Sequence, residues 1–261
     1  VYKRQSVAMS ADGTRIAIGA IQYGTDSPAS GYVSVFDVME VSVASQEAST
    51  LIVQLGGDIN GEAPDDHSGH SVVMSADGTR IAIGADENGG NGTDSGHVRI
   101  FDWDSNTATW NQAGDDIDGE AAEDEFGDAM AMSADGTRIA IGAGHNGGNG
   151  ADSGHVRVFD WDADTSTWNQ AGDDIDGEAE GDESGHSIAM SADGTRIAIG
   201  ADHNGANGDE SGHVRVFDWD SDTATWNQVG SDIDGEAERD SSGHSIATVS
   251  YTHLTLPTKV T

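Results

Sequence analysis

Apolar and polar residues alternate with a period of two along most of this chain, and no stretch keeps a helical period over about 11 residues. The segment from Gly185 to Asp234 shows the pattern. Ser187-Ile188-Ala189-Met190-Ser191 is a short alternating run. Ala192-Asp193-Gly194 follows as a tight-turn signal, with a glycine able to take positive φ. Arg196-Ile197-Ala198-Ile199-Gly200 alternates again, so the two runs predict a β-hairpin. A polar loop, Asp202–Gly212, leads to His213–Trp219, a third strand rich in β-branched and aromatic residues. A turn holding Ser221, Asp222 and Thr223 leads to a fourth strand, Thr225–Val229. The acidic segment Ser231–Glu236 reads as the loop to the next unit.

This unit recurs. Ser-Ala-Asp-Gly-Thr-Arg-Ile-Ala-Ile-Gly starts at Ser10, Ser75, Ser133 and Ser191, at spacings of 65, 58 and 58. A second marker puts glycine at Gly69, Gly127, Gly185 and Gly243, each 58 apart. A third begins at Gly96, Gly154 and Gly212, with Gly31–Asp37 as a looser first copy. Four short antiparallel strands in a tandem unit of this length describe a β-propeller blade. A lone sheet of this kind leaves its faces uncovered, and stacked neighbours bury them. A β-solenoid is the runner-up, but its coils are usually shorter and do not need a hairpin in each. The expected fold is an all-β propeller fragment of four-stranded antiparallel blades: 6–64, 65–122, 123–180, 181–240, and the start of a fifth at 241–248. The first copy carries seven extra residues between Phe36 and Gln54 and lacks both tryptophans of the others. The extra length is placed in the hairpin loop between its third and fourth strands, where surface loops accept it.

The template breaks at both ends. Residues 1–5 and 249–261 match no copy, and they resemble translated transposon-adaptor DNA from sequencing libraries, read from opposite strands. They are left out of fold reasoning. The remaining chain, roughly Ser6 to Ala247, is then expected to be a fragment open at both ends.

Composition sets further limits. The 261 residues hold 11 Lys+Arg against 47 Asp+Glu, a formal charge of −36. Leu, Ile, Val and Phe make up about 17% of the chain, a level typical of disordered acidic proteins. The repeat argues otherwise, because Gly, Asp and Asn return to the same turn positions in each copy. Both lysines, Lys3 and Lys259, lie in the end pieces with Arg4, so the repeats carry 8 Arg and a charge of −39. No apolar run approaches the ~20 residues of a membrane helix. The absence of Cys excludes disulfides, thiolate metal sites and a cysteine nucleophile. So negative a chain repels nucleic acid and anionic lipid, so neither is an expected partner.

The units resemble the FG-GAP repeat of integrin α-type propellers and many microbial and algal surface proteins. Phe126-Gly127 stands at the FG position, and Gly84-Ala85, Gly142-Ala143 and Gly200-Ala201 stand at the GA positions. Gly154–Phe159 fits the Gly-x-Val-x-Val-Phe strand, and the Trp-Asn-Gln segment is similar to that of microbial members. The resemblance implies a seven-bladed propeller, whose other blades would be partners of those present, and an extracellular or cell-surface adhesion scaffold. Many members carry a calcium cage between strands one and two. Here that place holds only Ser133–Thr137 and its equivalents, too few oxygens for 6–8-fold coordination.

Calcium candidates lie elsewhere. Up-and-down topology puts the strand two–three loops and the acidic segments on one rim. The acidic set is Asp116, Asp118, Glu120, Asp174, Asp176, Glu178, Asp232, Asp234 and Glu236; the loop set includes Asp86, Asp94 and Asp152. Hard oxygens at alternating positions beside glycine suit calcium. The same residues also form ordinary turns, so the pattern admits both readings. The histidines at 70, 97, 155, 186, 213 and 244 open strands near this rim, at no known metal-ligand spacing. The tryptophan pairs 103/110, 161/168 and 219/226 are expected to pack across their hairpins, and the arginines to pair with Asp inside each blade. No catalytic constellation stands out, and Ser-Gly-His lacks a nucleophile elbow. The expectation is therefore a non-enzymatic recognition scaffold that binds a protein or glycan through its loop-rich face. A hydrolase or lyase with its site in other blades, and a purely structural surface protein, are the alternatives.

Overall fold

The computed structural model describes residues 5–21, 30–41 and 49–247, and among them there is no helix. Four separate antiparallel sheets follow one another, one per repeat. In the third blade the strands are Met130–Met132, Arg138–Ala143, His155–Asp162 and Thr167–Gln170, each paired to the next. First strands of successive blades adjoin one another, so they line a common axis and the fourth strands lie outermost. This is a β-propeller arrangement, and the all-β fold class expected from the sequence holds. Gln5, placed among the end residues above, occupies the first position of the first strand, opposite Ala20. The end residues 1–4 and 249–261, and Thr248 of the expected fifth blade, lie outside the described residues.

The inner hairpin turn shows why Ser-Ala-Asp-Gly-Thr recurs. One oxygen of Asp135 accepts hydrogen bonds from the Ser133 hydroxyl (2.7 Å), the Thr137 amide (3.0 Å) and the Thr137 hydroxyl (2.8 Å). Gly136 takes φ +71°, which suits glycine. In the equivalent turns, the hydrogen bonds hold the Asp12 and Asp193 carboxyls down to about 2; for Asp12 the Thr14 amide contributes most, for Asp193 the Ser191 hydroxyl. The turn tips also join blades: the amides of Ala11, Ala76 and Ala134 donate to the carbonyls of Ala76, Ala134 and Ala192.

Two expectations are corrected. The acidic segment is not wholly loop. Ile117-Asp118, Ile175-Asp176 and Ile233-Asp234 each form a two-residue strand against the start of the third strand, with Asp176 opposite His155 and Ile175 opposite Val156. Asp-Ile-Asp is itself a period-two run: Ile175 is buried while Asp176 is exposed. The insertion in the first blade is not wholly loop either. It lengthens the outer hairpin, whose strands run Tyr32–Val41 and Ser49–Gln54 and add the pairs Glu40–Thr50 and Val41–Ser49. Its residues 42–48 lie outside the described ones.

The hydrophobic core lies between blades. One face of the second blade, with Ala82, Val98, Ile100 and Ile117, packs on the facing side of the third, with Ile139, Ile141 and Phe159. The same pairing recurs on either side. The tryptophans stack across their hairpin as expected, with Trp161 and Trp168 ring centroids 5.2 Å apart. They also reach the preceding blade, where Trp168 Nε1 donates to the Ala113 carbonyl (2.9 Å) and Arg80 lies over both rings. The arginines divide into two sets. Arg80, Arg138 and Arg196 pair with Asp102, Asp160 and Asp218 of their own blade. Arg99, Arg157 and Arg215 instead donate to backbone carbonyls of the blade before, at Asn60, Asp118 and Asp176. A strand buried between blades offers these guanidinium groups unpaired carbonyls, which single-blade reasoning does not anticipate.

Candidate functional site: the acidic rim and the axial ring

The strand two–three loops and the acidic segments share one rim, as the topology predicts. Asn149 Nδ2 donates to the carbonyls of Gly177 (2.9 Å) and Glu178 (3.1 Å), holding the loop against the acidic segment of its own blade. Asn91 and Asn207 do the same to Gly119 and Gly235. Asn146 and Asn204 are buried and donate to Asp124 and Asp182, carboxylates that also accept the amides of Ala121 and Ala179. These asparagines are therefore structural, and they fix the backbone of the rim.

The candidate calcium residues do not converge on one oxygen cage. Asp118, Asp176, Asp234 and Glu236 turn exposed side chains outward. Asp116, Asp174 and Asp232 each accept a hydrogen bond of 2.6 Å from Gln112, Gln170 and Gln228. Asp116 and Asp174 also approach the buried His97 and His155, at 3.8 and 4.0 Å. Glu120 lies 3.5 Å from Arg157, while Glu178 lies 4.0 Å from His213. Asp94 and Asp152 sit at φ +51° and +53°, with Asp152 3.3 Å from His145. Asp86 is buried beside His70. The sets Glu62/His97/Asp116, Glu120/His155/Asp174 and Glu178/His213/Asp232 each bring a glutamate of one blade to a histidine and an aspartate of the next. Burial pushes the His97 and His155 rings below the ordinary histidine pKa, so they are neutral near pH 7.

A cleft of about 510 Å³ opens on this rim between the first and second blades. Glu62, Asp65, Asp66, Glu87 and Asp94 line it. Asp66 is buried and accepts the Ala63 amide (2.7 Å). Glu87 is raised by burial, against the pull of the neighbouring His67 (3.0 Å).

A second group surrounds the axis. His70, Asp128, His186 and His244 occupy equivalent positions before successive first strands. His70 sits between Asp86 and Asp128, its Nε2 3.1 Å from Asp128. Burial opposes charge on this ring, but hydrogen bonds to Asp128 and Asp86 outweigh it and push the pKa up to about 10.

No family profile and no curated protein matches the chain. Among solved structures, it is similar to the β-propeller domain of the Trilobed protease from Pyrococcus furiosus, at 8% identity and a TM-score of 0.42. The likeness covers 91% of this chain and 59% of that structure.

The axial cluster yields a pH prediction. A raised histidine pKa contributes stability in full below about 6.5, its ordinary value, and the contribution fades as pH rises toward about 10. Chemical denaturation of the protein and of His70→Gln across this range should give curves that converge at alkaline pH. A gap between them that does not change with pH would refute the ion pair. The cluster escaped sequence reasoning because its members come from different repeats. The available signal was that Asp128 stands where the other copies have His70, His186 and His244.

Proposed function

We propose that this chain is a recognition scaffold of FG-GAP-like propeller repeats that works at a cell surface or outside the cell, without catalysis of its own. Its ligand is a protein or glycan, met at the acidic rim, with calcium bridging rim carboxylates and ligand. The observation that carries this reading is the cleft lined by Glu62, Asp65, Glu87 and Asp94, whose backbone is held by hydrogen bonds to the Asp66 and Asn88 side chains. Carboxylates fixed by their backbone around a cleft bind a cation or a cationic group with little ordering cost. The FG and GA positions support the family reading, because a Cβ at Gly84 or Gly142 would lie 2.2 Å from the carbonyl oxygen of Gly127 or Gly185 in the next blade.

Two measurements test the reading. Calcium should raise the melting temperature, since a ligand at 100 times its Kd stabilises the folded state by about 2.7 kcal/mol. Melting curves that coincide in calcium and in chelator would remove calcium from the proposal. Glycan-array and cell-binding assays should show binding that Glu62→Gln combined with Glu87→Gln weakens. Binding untouched by that pair would move the ligand site off this cleft.

A further inference from the structure

We infer that His186, Asp202 and His244 form a transition-metal site, of zinc type, at the axial end where the fourth blade meets the following repeat. The three residues come from two repeats. His186 precedes the first strand of the fourth blade, Asp202 follows its second strand, and His244 stands 58 residues after His186. One ligand atom from each lies within 4.8 Å of the others. Asp202 is 3% exposed; its Oδ2 is 2.9 Å from His244 Nδ1, and its Oδ1 is buried with no hydrogen-bond partner. An unsatisfied buried carboxylate oxygen is costly, and a metal ion would satisfy it. The His186 and His244 rings stack with centroids 5.2 Å apart and planes 30° from parallel. Two protonated rings at that distance repel, whereas two neutral rings can donate to one metal ion.

The equivalent cluster two blades back round the axis is the internal contrast. There His70 and Asp86 stand where His186 and Asp202 stand here, and Asp128 stands where His244 does, so a single ring ties both carboxylates together, although Asp86 Oδ1 is unpartnered there too. At the site proposed, two imidazoles share one carboxylate. Two nitrogens and one oxygen suit zinc and its neighbours rather than calcium or magnesium. Zinc bonds of 2.0–2.2 Å place tetrahedral ligands about 3.4 Å apart. The exposed ring of His244 can close that gap, since its side chain is 69% accessible. Three protein ligands leave a fourth position for water or an incoming group. The ion would also fasten the segment around His244 to the second strand of the fourth blade.

The test is cobalt(II) titration of the whole chain, followed by visible absorption, in excess magnesium to occupy oxygen-only sites. One equivalent should give the absorption of a low-coordinate site, and zinc should displace it. Asp202→Asn preserves shape, and His244→Ala removes an exposed side chain, so both should stay folded by circular dichroism. Each should weaken cobalt binding by more than the roughly 10–100-fold cost of losing an outer-shell partner. Asp128→His, which gives the cluster of His70 and Asp86 the same ligand set, should raise the stoichiometry from one to two. No absorption in the wild type, or absorption that survives both ligand substitutions at unchanged affinity, would overturn the site. A stoichiometry that stays at one in Asp128→His would overturn the rule that two imidazoles and one carboxylate define it.

Discussion

Gly142→Ala is expected to destabilise the protein by about 3 kcal/mol or more, at the upper end of what overpacking costs. A Cβ at this position would lie 2.2 Å from the Gly185 carbonyl oxygen and 3.1 Å from its carbon. Both are backbone atoms of the adjoining blade, so no flexible side chain can move aside. Gly185 has no freedom to retreat, because its amide donates to the Gly200 carbonyl (3.0 Å) and its φ is +102°. The blades must separate or the strand must bend, and either loosens the core between them. Gly147→Ala is the control: its Cβ would meet only the Gly150 oxygen, at 3.8 Å. Denaturant midpoints should fall sharply for Gly142→Ala and hardly at all for Gly147→Ala. Equal midpoints would show that the blades do not meet here.

The second large effect is expected at Arg157. Arg157→Ala should cost about 2–4 kcal/mol, in the range for removing a buried hydrogen-bonded charge. The guanidinium is buried, donates to the Asp118 carbonyl at 2.6 Å, and lies over Phe126 at 4.2 Å and Phe159 at 5.5 Å. Its contact with Glu120 adds little, since that carboxylate is half exposed. Truncation strands the Asp118 carbonyl between blades and uncovers the Phe126 ring. Lysine cannot span both contacts, because it lacks the planar fork that bonds and stacks together. Arg196→Ala is the comparison, as its side chain is 56% accessible and its partner Asp218 is exposed too. That substitution should fall within the 0–1 kcal/mol typical of surface ion pairs. A ranking in which Arg196 matters more than Arg157 would contradict this account of the inter-blade contacts.

The strands were legible in the sequence because each has the same period and the same turn residues in every copy. Asp-Gly-Thr after a short alternating run is enough to place the inner hairpins, and the pair Trp161–Trp168 follows from the short turn between Asp162 and Thr167. Ile175-Asp176 was missed because its period-two run, Asp-Ile-Asp, is too short to stand out from an acidic loop; it is fixed by the burial of one isoleucine. The rim was legible as a place, since topology assigns loops to ends. Its chemistry was not. Asp86 and Asp94 are close in sequence, yet one is buried at the axis and the other borders the cleft, because the chain turns between them. The arginines of the third strands were misread for a related reason: their partners lie about 39 residues back, in another blade, at a separation no local pattern records.

The contrast between Ile175, 7% exposed, and its counterpart Ile233, 58% exposed, has an energetic meaning. Among the described residues four blades share three cores, so each core belongs to a pair of blades rather than to one. As in other stacked-repeat proteins, free energy then accrues per interface. Each blade added to an open row brings one new interface. The blade that completes a ring brings two, and with them a disproportionate gain in cooperativity.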